Sequence, residues 1–276
     1  MPRWYITVVN FTMKKYLFML SALVLFAFSS CQKFAGDPVT KYFSIDGTYT
    51  ELQVEDAFDV TVSDTATQIT ITVGEYVMPN VEVKIDENTL KIYLQGWHTS
   101  RGTEMTVILP YNADLTSVDL SGASEFHSEY GLEGDKVEVE LSGASDFYCS
   151  IEADEVDMNL SGASYFEGYI DAYDLDLEMS GASDATLRGQ VTTFDIELSG
   201  GSTIKKTITG SIYTNYGFEC DYCNGEMSGG SDAYIHCNLN LNVKLSGGSE
   251  LHYTGAAITT GSSCSGGSNI SHDVNP

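Results

Sequence analysis

Val137-Glu138-Val139-Glu140-Leu141-Ser142-Gly143-Ala144-Ser145-Asp146-Phe147 carries the pattern that decides the fold. Apolar and acidic residues alternate up to Leu141, as on a half-buried strand; four small residues follow, and the next large apolar residue is Phe147. The pentapeptide within this stretch recurs eight times: LSGAS at 120–124, 141–145 and 160–164, MSGAS at 179–183, LSGGS at 198–202 and 245–249, MSGGS at 227–231, and CSGGS at 264–268. Successive copies start 21, 19, 19, 19, 29, 18 and 19 residues apart. A period near 19 with strand alternation inside each unit predicts an all-β chain: a β-solenoid, or β-helix-like stack, of about eight 19-residue coils.

Aligning the units on the corner Leu or Met yields inward columns. Two residues before it stand Val139, Met158, Leu177, Ile196 and Val243; four before it stand Val137, Val156, Leu175, Phe194, Cys223 and Leu241. Two residues beyond the second serine come Phe126, Phe147, Phe166, Ala185, Ile204, Ala233, Leu251 and Ile270. Ser-Gly-Ala/Gly-Ser is then a corner between two strands, glycine supplying a backbone angle other residues resist and serine capping the backbone groups the bend frees. Eight coils at strand spacing make a rod of roughly 40 Å. Ahead of them, residues 41–115 form an N-terminal β region that packs on the 116–276 repeat. Its strand signals run through Val54–Val62, Ile69–Val73, Val81–Ile85, Leu90–Leu94 and Met105–Leu109.

Twenty-six glycines against five prolines fit a chain of tight turns. Thirteen Lys and Arg face 39 Asp and Glu, a net charge of −26, which argues against nucleic acid or an anionic lipid surface as partner. At 42% hydrophobic and 19% charged, the chain has the composition of a folded protein.

Met13-Lys14-Lys15 opens a basic region, Tyr16–Phe28 is apolar, and Ser29-Ser30-Cys31 closes it. An apolar run of about 13 residues is too short to span a bilayer and reads as a signal peptide over residues 1–30, with translation starting at Met13. The ending resembles the lipobox of bacterial lipoproteins, which makes Cys31 the lipidated first residue of the mature chain and 31–40 a tether. Loss of Arg3, Lys14 and Lys15 takes the net charge from −26 to about −29. Five cysteines remain, Cys149, Cys220, Cys223, Cys237 and Cys264, an odd number that cannot all pair within one exported chain. Cys220-x-x-Cys223 has neither a second such pair nor a βαβ context, which argues against a zinc or redox motif.

Enzymatic readings fail on spacing. The repeated serine lacks the second glycine of GxSxG, and Ser202-x-x-Lys205 lies on a strand and not on a helix. The histidines, His98, His127, His236, His252 and His272, form no HExxH or i, i+4 pair. No catalytic residue and no cofactor is expected. The outward stations are more informative: Glu138, Asp157, Asp176 and Asp195 recur at 19-residue intervals, accompanied by Glu140, Glu178 and Glu197. Seven carboxylates on one face repel each other by about 1 kcal/mol per neighbouring pair even in water, so the face suits a cation or cationic partner, with Ca²⁺ the fitting ion. It equally suits a solvated surface that keeps the rod soluble. Between Ser202 and Met227 ten extra residues bring Tyr213, Tyr216, Phe218 and Tyr222, read as an aromatic loop that stacks on sugar rings or anchors a protein, or else folds back over the coil edge.

Val54-x-x-Ala57-Phe58-x-Val60-x-Val62, Leu90-x-Ile92, the strand ending at Pro110 and the serial SGAS/SGGS corners resemble the auto-transporter adhesin head GIN domain family, over residues 45–270. The resemblance implies a fold of stacked β coils and an exported Bacteroidetes lipoprotein, outer-membrane anchored and facing the periplasm or the cell surface. It supplies no catalytic residues. With the repeat ending just before Pro276, no membrane barrel follows the last corner, and the lipid on Cys31 is the expected anchor. The function so implied is adhesin-like binding of a cell-envelope glycan or protein. A purely structural envelope component is the alternative, and a polysaccharide-acting enzyme a third.

Overall fold

The computed structural model describes residues 36–96, 104–206 and 217–273. Among the described residues the fold is all-β: twenty-one strands join in one large mixed sheet, and the one helical element is the short 3-10 turn Met78–Asn80.

The repeat appears as parallel pairing in register. Leu132–Leu141, Ile151–Leu160, Tyr165–Met179, Asp184–Leu198, Phe218–Met227 and Asp232–Leu245 pair in chain order, with Leu141, Leu160, Met179, Leu198, Met227 and Leu245 abreast. The columns read from the sequence point inward: Val139, Met158, Leu177, Ile196 and Val243 are at most 1% exposed. Phe126, Phe147 and Phe166 stack ring on ring with centroids 5.1 and 5.6 Å apart. The next member of that column is Ala185, where the ring stack ends; Phe194 in the same strand is buried in another column. Each such side chain taken fully from water contributes about 1.5–3 kcal/mol, which sets the register against a one-residue slip. Ile270, last of its column, is only partly buried.

The corners form a ladder of their own. Ala144 N–H donates to Gly122 O at 2.8 Å, and Ala163, Ala182 and Gly201 repeat the bond to Gly143, Gly162 and Gly181, each at 2.7 Å. At Gly162 φ is +76°, and a Cβ there would sit 2.4 Å from the carbonyl oxygen of Gly143. The glycine is required twice over, by its left-handed backbone and by the approach of the neighbouring corner. The second serine is buried and closes the bend: Ser145 Oγ donates to Ser142 O at 2.8 Å and Ser202 Oγ to Ser199 O at 3.0 Å.

Residues 36–110 pair differently. Glu51–Val54 lies parallel between Thr89–Leu94 and Ser117–Leu120, while Phe58–Ser63 lies parallel between Met105–Pro110 and Glu125–His127. The continuous strand expected over Val54–Val62 is therefore broken at Glu55-Asp56-Ala57, in line with the repeat corners. Asp56 takes the glycine's place with φ +76°, accepts the Ala123 N–H at 2.7 Å through its carbonyl, and holds Leu94 N–H at 2.7 Å through its side chain. Antiparallel strands finish this end: Ile69–Gly74 lies between Pro38–Phe43 and Met105–Pro110, and Val81–Asp86 pairs with Thr89–Leu94.

Candidate functional site

The register brings all seven expected carboxylates onto one face. Glu138, Asp157, Asp176 and Asp195 stand abreast, with Glu140, Asn159, Glu178 and Glu197 in the parallel column. Two further acids that the sequence reading passed over extend it: Asp119 lies opposite Glu140, and Glu226 opposite Glu197. Both share the offset of one residue before the corner Leu or Met, so the same alignment contains them. Burial raises the Asp176 carboxyl above its ordinary range, and Asp157, Asp195, Glu178 and Glu197 push it further the same way. Asp119 is raised by burial and by Glu140 and Glu55, against a hydrogen bond from Gln53.

Basic residues close both ends of the face. Lys136 Nζ sits 2.7 Å from Glu155, 2.5 Å from Asp157 and 3.6 Å from Glu138. Residues two apart on a strand share a face, so Lys136 projects beside Glu138, and the register places Glu155 opposite it. Its carboxylate partners raise the Lys136 pKa, the hydrogen bonds it donates to Asp157 and Glu155 leading. At the other end Lys244 pairs with Glu226 at 3.1 Å, and Asn224 Nδ2 donates to Asp195 at 2.9 Å. Among the described residues no ion pair reaches Asp176, Glu178 or Glu197, and no three His, Cys, Asp or Glu side chains converge as metal ligands do.

Two grooves flank these columns. One of about 460 Å³ runs along Glu178, Glu197, Glu226 and Lys244 beside the first serines of the corners, Ser161, Ser180, Ser199, Ser228 and Ser246. The other, about 520 Å³, is lined by Glu133, Asp135, Glu152, Asp154, Asp171 and Tyr173. This second acidic column also repeats every 19 residues, as Glu133, Glu152 and Asp171 stand in register. The sequence reading missed it because it lies eight residues before the conspicuous corner.

On the strand segments after the corners lies a face of aromatic and ionic side chains. His127 stacks on Tyr148 at 4.7 Å, and Tyr148 meets Tyr165 edge-on at 5.8 Å. Tyr165 Oη donates to Glu167 at 2.8 Å and lies 2.9 Å from Thr186 Oγ1; Arg188 holds the other Glu167 oxygen at 2.9 Å. Tyr165 and Arg188 lower the Glu167 pKa, whereas burial raises that of Asp146. Lys205 lies 4.6 Å from the Tyr165 ring centre and 2.9 Å from Asp184. Lys205 thus serves this face and not Ser202, whose hydroxyl is engaged inside its own corner.

The aromatic loop is corrected for two of its four residues. Phe218 is buried, 1% exposed, and meets Phe194 edge-on at 5.0 Å. Tyr222 is exposed but belongs to the strand Phe218–Met227, opposite Thr193 and Asn240. Strand alternation resumes at Phe218, which turns that ring into the core. Tyr213, Tyr216, His98 and Cys31 lie outside the described residues. Of the other histidines, His252 and His272 stack on Tyr234 and Tyr253, and His236 is buried between Thr254 and Asn238.

The chain belongs to the family described as "putative auto-transporter adhesin, head GIN domain", whose model matches residues 48–169 and 158–257. Solved structures share the fold. A "putative adhesin" of Parabacteroides distasonis superposes with a TM-score of 0.73 at 19% identity, covering 86% of this chain and 98% of that one. One from Parabacteroides merdae gives 0.72 at 20% identity, covering 86% and 97%. A "putative lipid binding protein" of Parabacteroides distasonis gives 0.69 at 16%, again over 86% and 97%. A comparison with curated proteins finds no match.

Proposed function

We propose that the chain is a lipid-anchored cell-envelope β-solenoid that works as an adhesin-like binding module for a glycan or protein partner, without enzymatic chemistry. The 19-residue parallel register and the glycine corner ladder support the solenoid reading. Membership of an adhesin-head family supports display at the envelope. The observation that carries the binding reading is the face of His127, Tyr148, Tyr165, Arg188 and Lys205 set among carboxylates. Flat rings take the C–H face of a sugar or an apolar side chain, while fixed carboxylate and guanidinium groups orient hydroxyls. The uncompensated acids at Asp176, Glu178 and Glu197 favour a second reading of that ladder, as a seat for Ca²⁺ or a cationic partner.

A glycan and envelope-protein array probed with the chain from Asp37 onward tests the binding reading. Binding that disappears in Tyr148→Ala/Tyr165→Ala supports this face, and loss in Tyr213→Ala/Tyr216→Ala moves the site to the insert. Silence across the array sinks the binding module in favour of a structural component. Palmitate labelling that persists in Cys31→Ala would remove the lipid anchor. An unchanged melting midpoint at millimolar Ca²⁺ would remove the ion.

A further inference from the structure

Four of the described cysteines are buried, and three of them share one place. Cys220 and Cys237 hold the same register position on the adjacent parallel strands Phe218–Met227 and Asp232–Leu245, both facing the core at 0–1% exposure. Each thiol reaches across to the other's strand: Cys220 Sγ donates to His236 O and Cys237 Sγ to Asp221 O, both at 3.6 Å. Neighbouring strands run about 4.8 Å apart, inside the roughly 4.4–6.8 Å between α-carbons that a disulfide accepts. Cys223 stands opposite Phe194 and Leu241, so the strands beside it offer no thiol. Cys149 lies in another repeat, and Cys264 is exposed in the last one.

The pair also sits beside a shift in the strand register. Cys220 is opposite Cys237, but Tyr222 is opposite Asn240, so Asn238 and Leu239 together face Asp221. This bulge leaves Leu239 49% exposed, and Cys220 itself lies within the irregular 29-residue spacing between corners. The other parallel pairs of the repeat keep their register without a shift.

We propose that Cys220 and Cys237 form an intramolecular disulfide that staples the two strands at this bulge, leaving Cys223 reduced. The inference rests on the exported reading, since only an oxidising compartment maintains such a bond. Two thiols lose two protons and two electrons as one S–S bond forms. The disulfide of an envelope thiol–disulfide oxidoreductase accepts them by exchange and becomes a dithiol. Both sulfurs are out of reach in the folded core, so the exchange takes place before the repeat closes.

The test is a thiol map of the full chain, expressed with its own leader in a Gram-negative host, quenched in acid, alkylated unfolded and digested without reductant. The expected result is a Cys220–Cys237 linked peptide, alkylated Cys223, and a Tm about 6–10 °C above that of the dithiothreitol-treated protein. In Cys237→Ser that Tm difference disappears, and in Cys223→Ser it stays. A Cys220–Cys223 link overturns the proposal. A second map follows the same chain refolded from denaturant in glutathione buffer. A Cys220–Cys237 link on refolding, with reduced thiols in cells, overturns the exported reading and leaves the geometry supported. Reduced thiols in both overturn the disulfide.

Discussion

Residues 36–110 and residues 117–272 build the same kind of parallel register by different means. In the repeat, glycine makes every corner and chain order is spatial order. In the N-terminal part Asp56 makes the aligned corner, and the strands Thr89–Leu94 and Met105–Pro110 lie outside Glu51–Val54 and Phe58–Ser63, which precede them in the chain. A corner packed between two like corners leaves no room for a Cβ. Asp56 lies at the outer end of the corner ladder, where its carboxylate can reach a strand N–H instead. Antiparallel strands then cover that end, as an array of repeats requires of its exposed terminus.

The largest effect that separates the two parts is expected at an interior corner. Gly162→Ala forces a Cβ against Gly143 O and costs about 3 kcal/mol or prevents folding, while Gly201→Ala, whose Cβ meets nothing closer than 3.9 Å, stays within about 0.5 kcal/mol. Urea midpoints that move equally for both would remove the corner argument.

Next comes an alkaline sensitivity of the repeat, which holds all the buried thiols among the described residues. Burial pushes the Cys149 thiol up to about 11 from an ordinary 9.0. The unfolded thiol therefore ionises first, so stability intact below pH 9 declines as pH rises towards 11, by about 2–3 kcal/mol. Comparing the pH 8 and pH 11 urea midpoints of wild type and Cys149→Ala under reductant checks this; equal declines would sink it.

In the N-terminal part, Asp56→Ala loses the bond to Leu94 N–H and keeps an unfavourable left-handed angle, costing about 2 kcal/mol; Asp56→Gly loses only the bond, about 1 kcal/mol. A glycine variant worse than the alanine one would show that Asp56 is no counterpart of the repeat glycines. Smallest is the gain from Asp176→Asn, about 0.5 kcal/mol at neutral pH, because a carboxylate between like charges is removed. The Asp176 pKa is raised in the fold, by burial first and by its like-charged neighbours second, so the penalty appears as pH rises through it, vanishes in acid, and loses only its like-charge part in high salt.

Most of the core was legible because strand alternation is local: Val139, Met158, Leu177 and Phe147 announce their direction two residues at a time. The carboxylate ladder followed from the same arithmetic, and Asp119 and Glu226 needed only a wider window. Phe218 was misread because the length of the insertion does not say where the strand resumes. Lys136 was overlooked because its value lies in partners 19 and 21 residues away, reached only once the register is known.

By itself the sequence determined an all-β chain, its period, its inward columns and the glycine of each corner, since each depends on residues within one repeat or on counting between repeats. Only the tertiary structure decided that Asp56 turns a corner, that Lys136 and Lys244 bracket the acids, that the aromatic face assembles around Tyr165, and that Cys220 meets Cys237 beside a bulge. These are contacts between strands with distant or irregular offsets, and which backbone hydrogen bonds close there depends on the packing of the whole sheet.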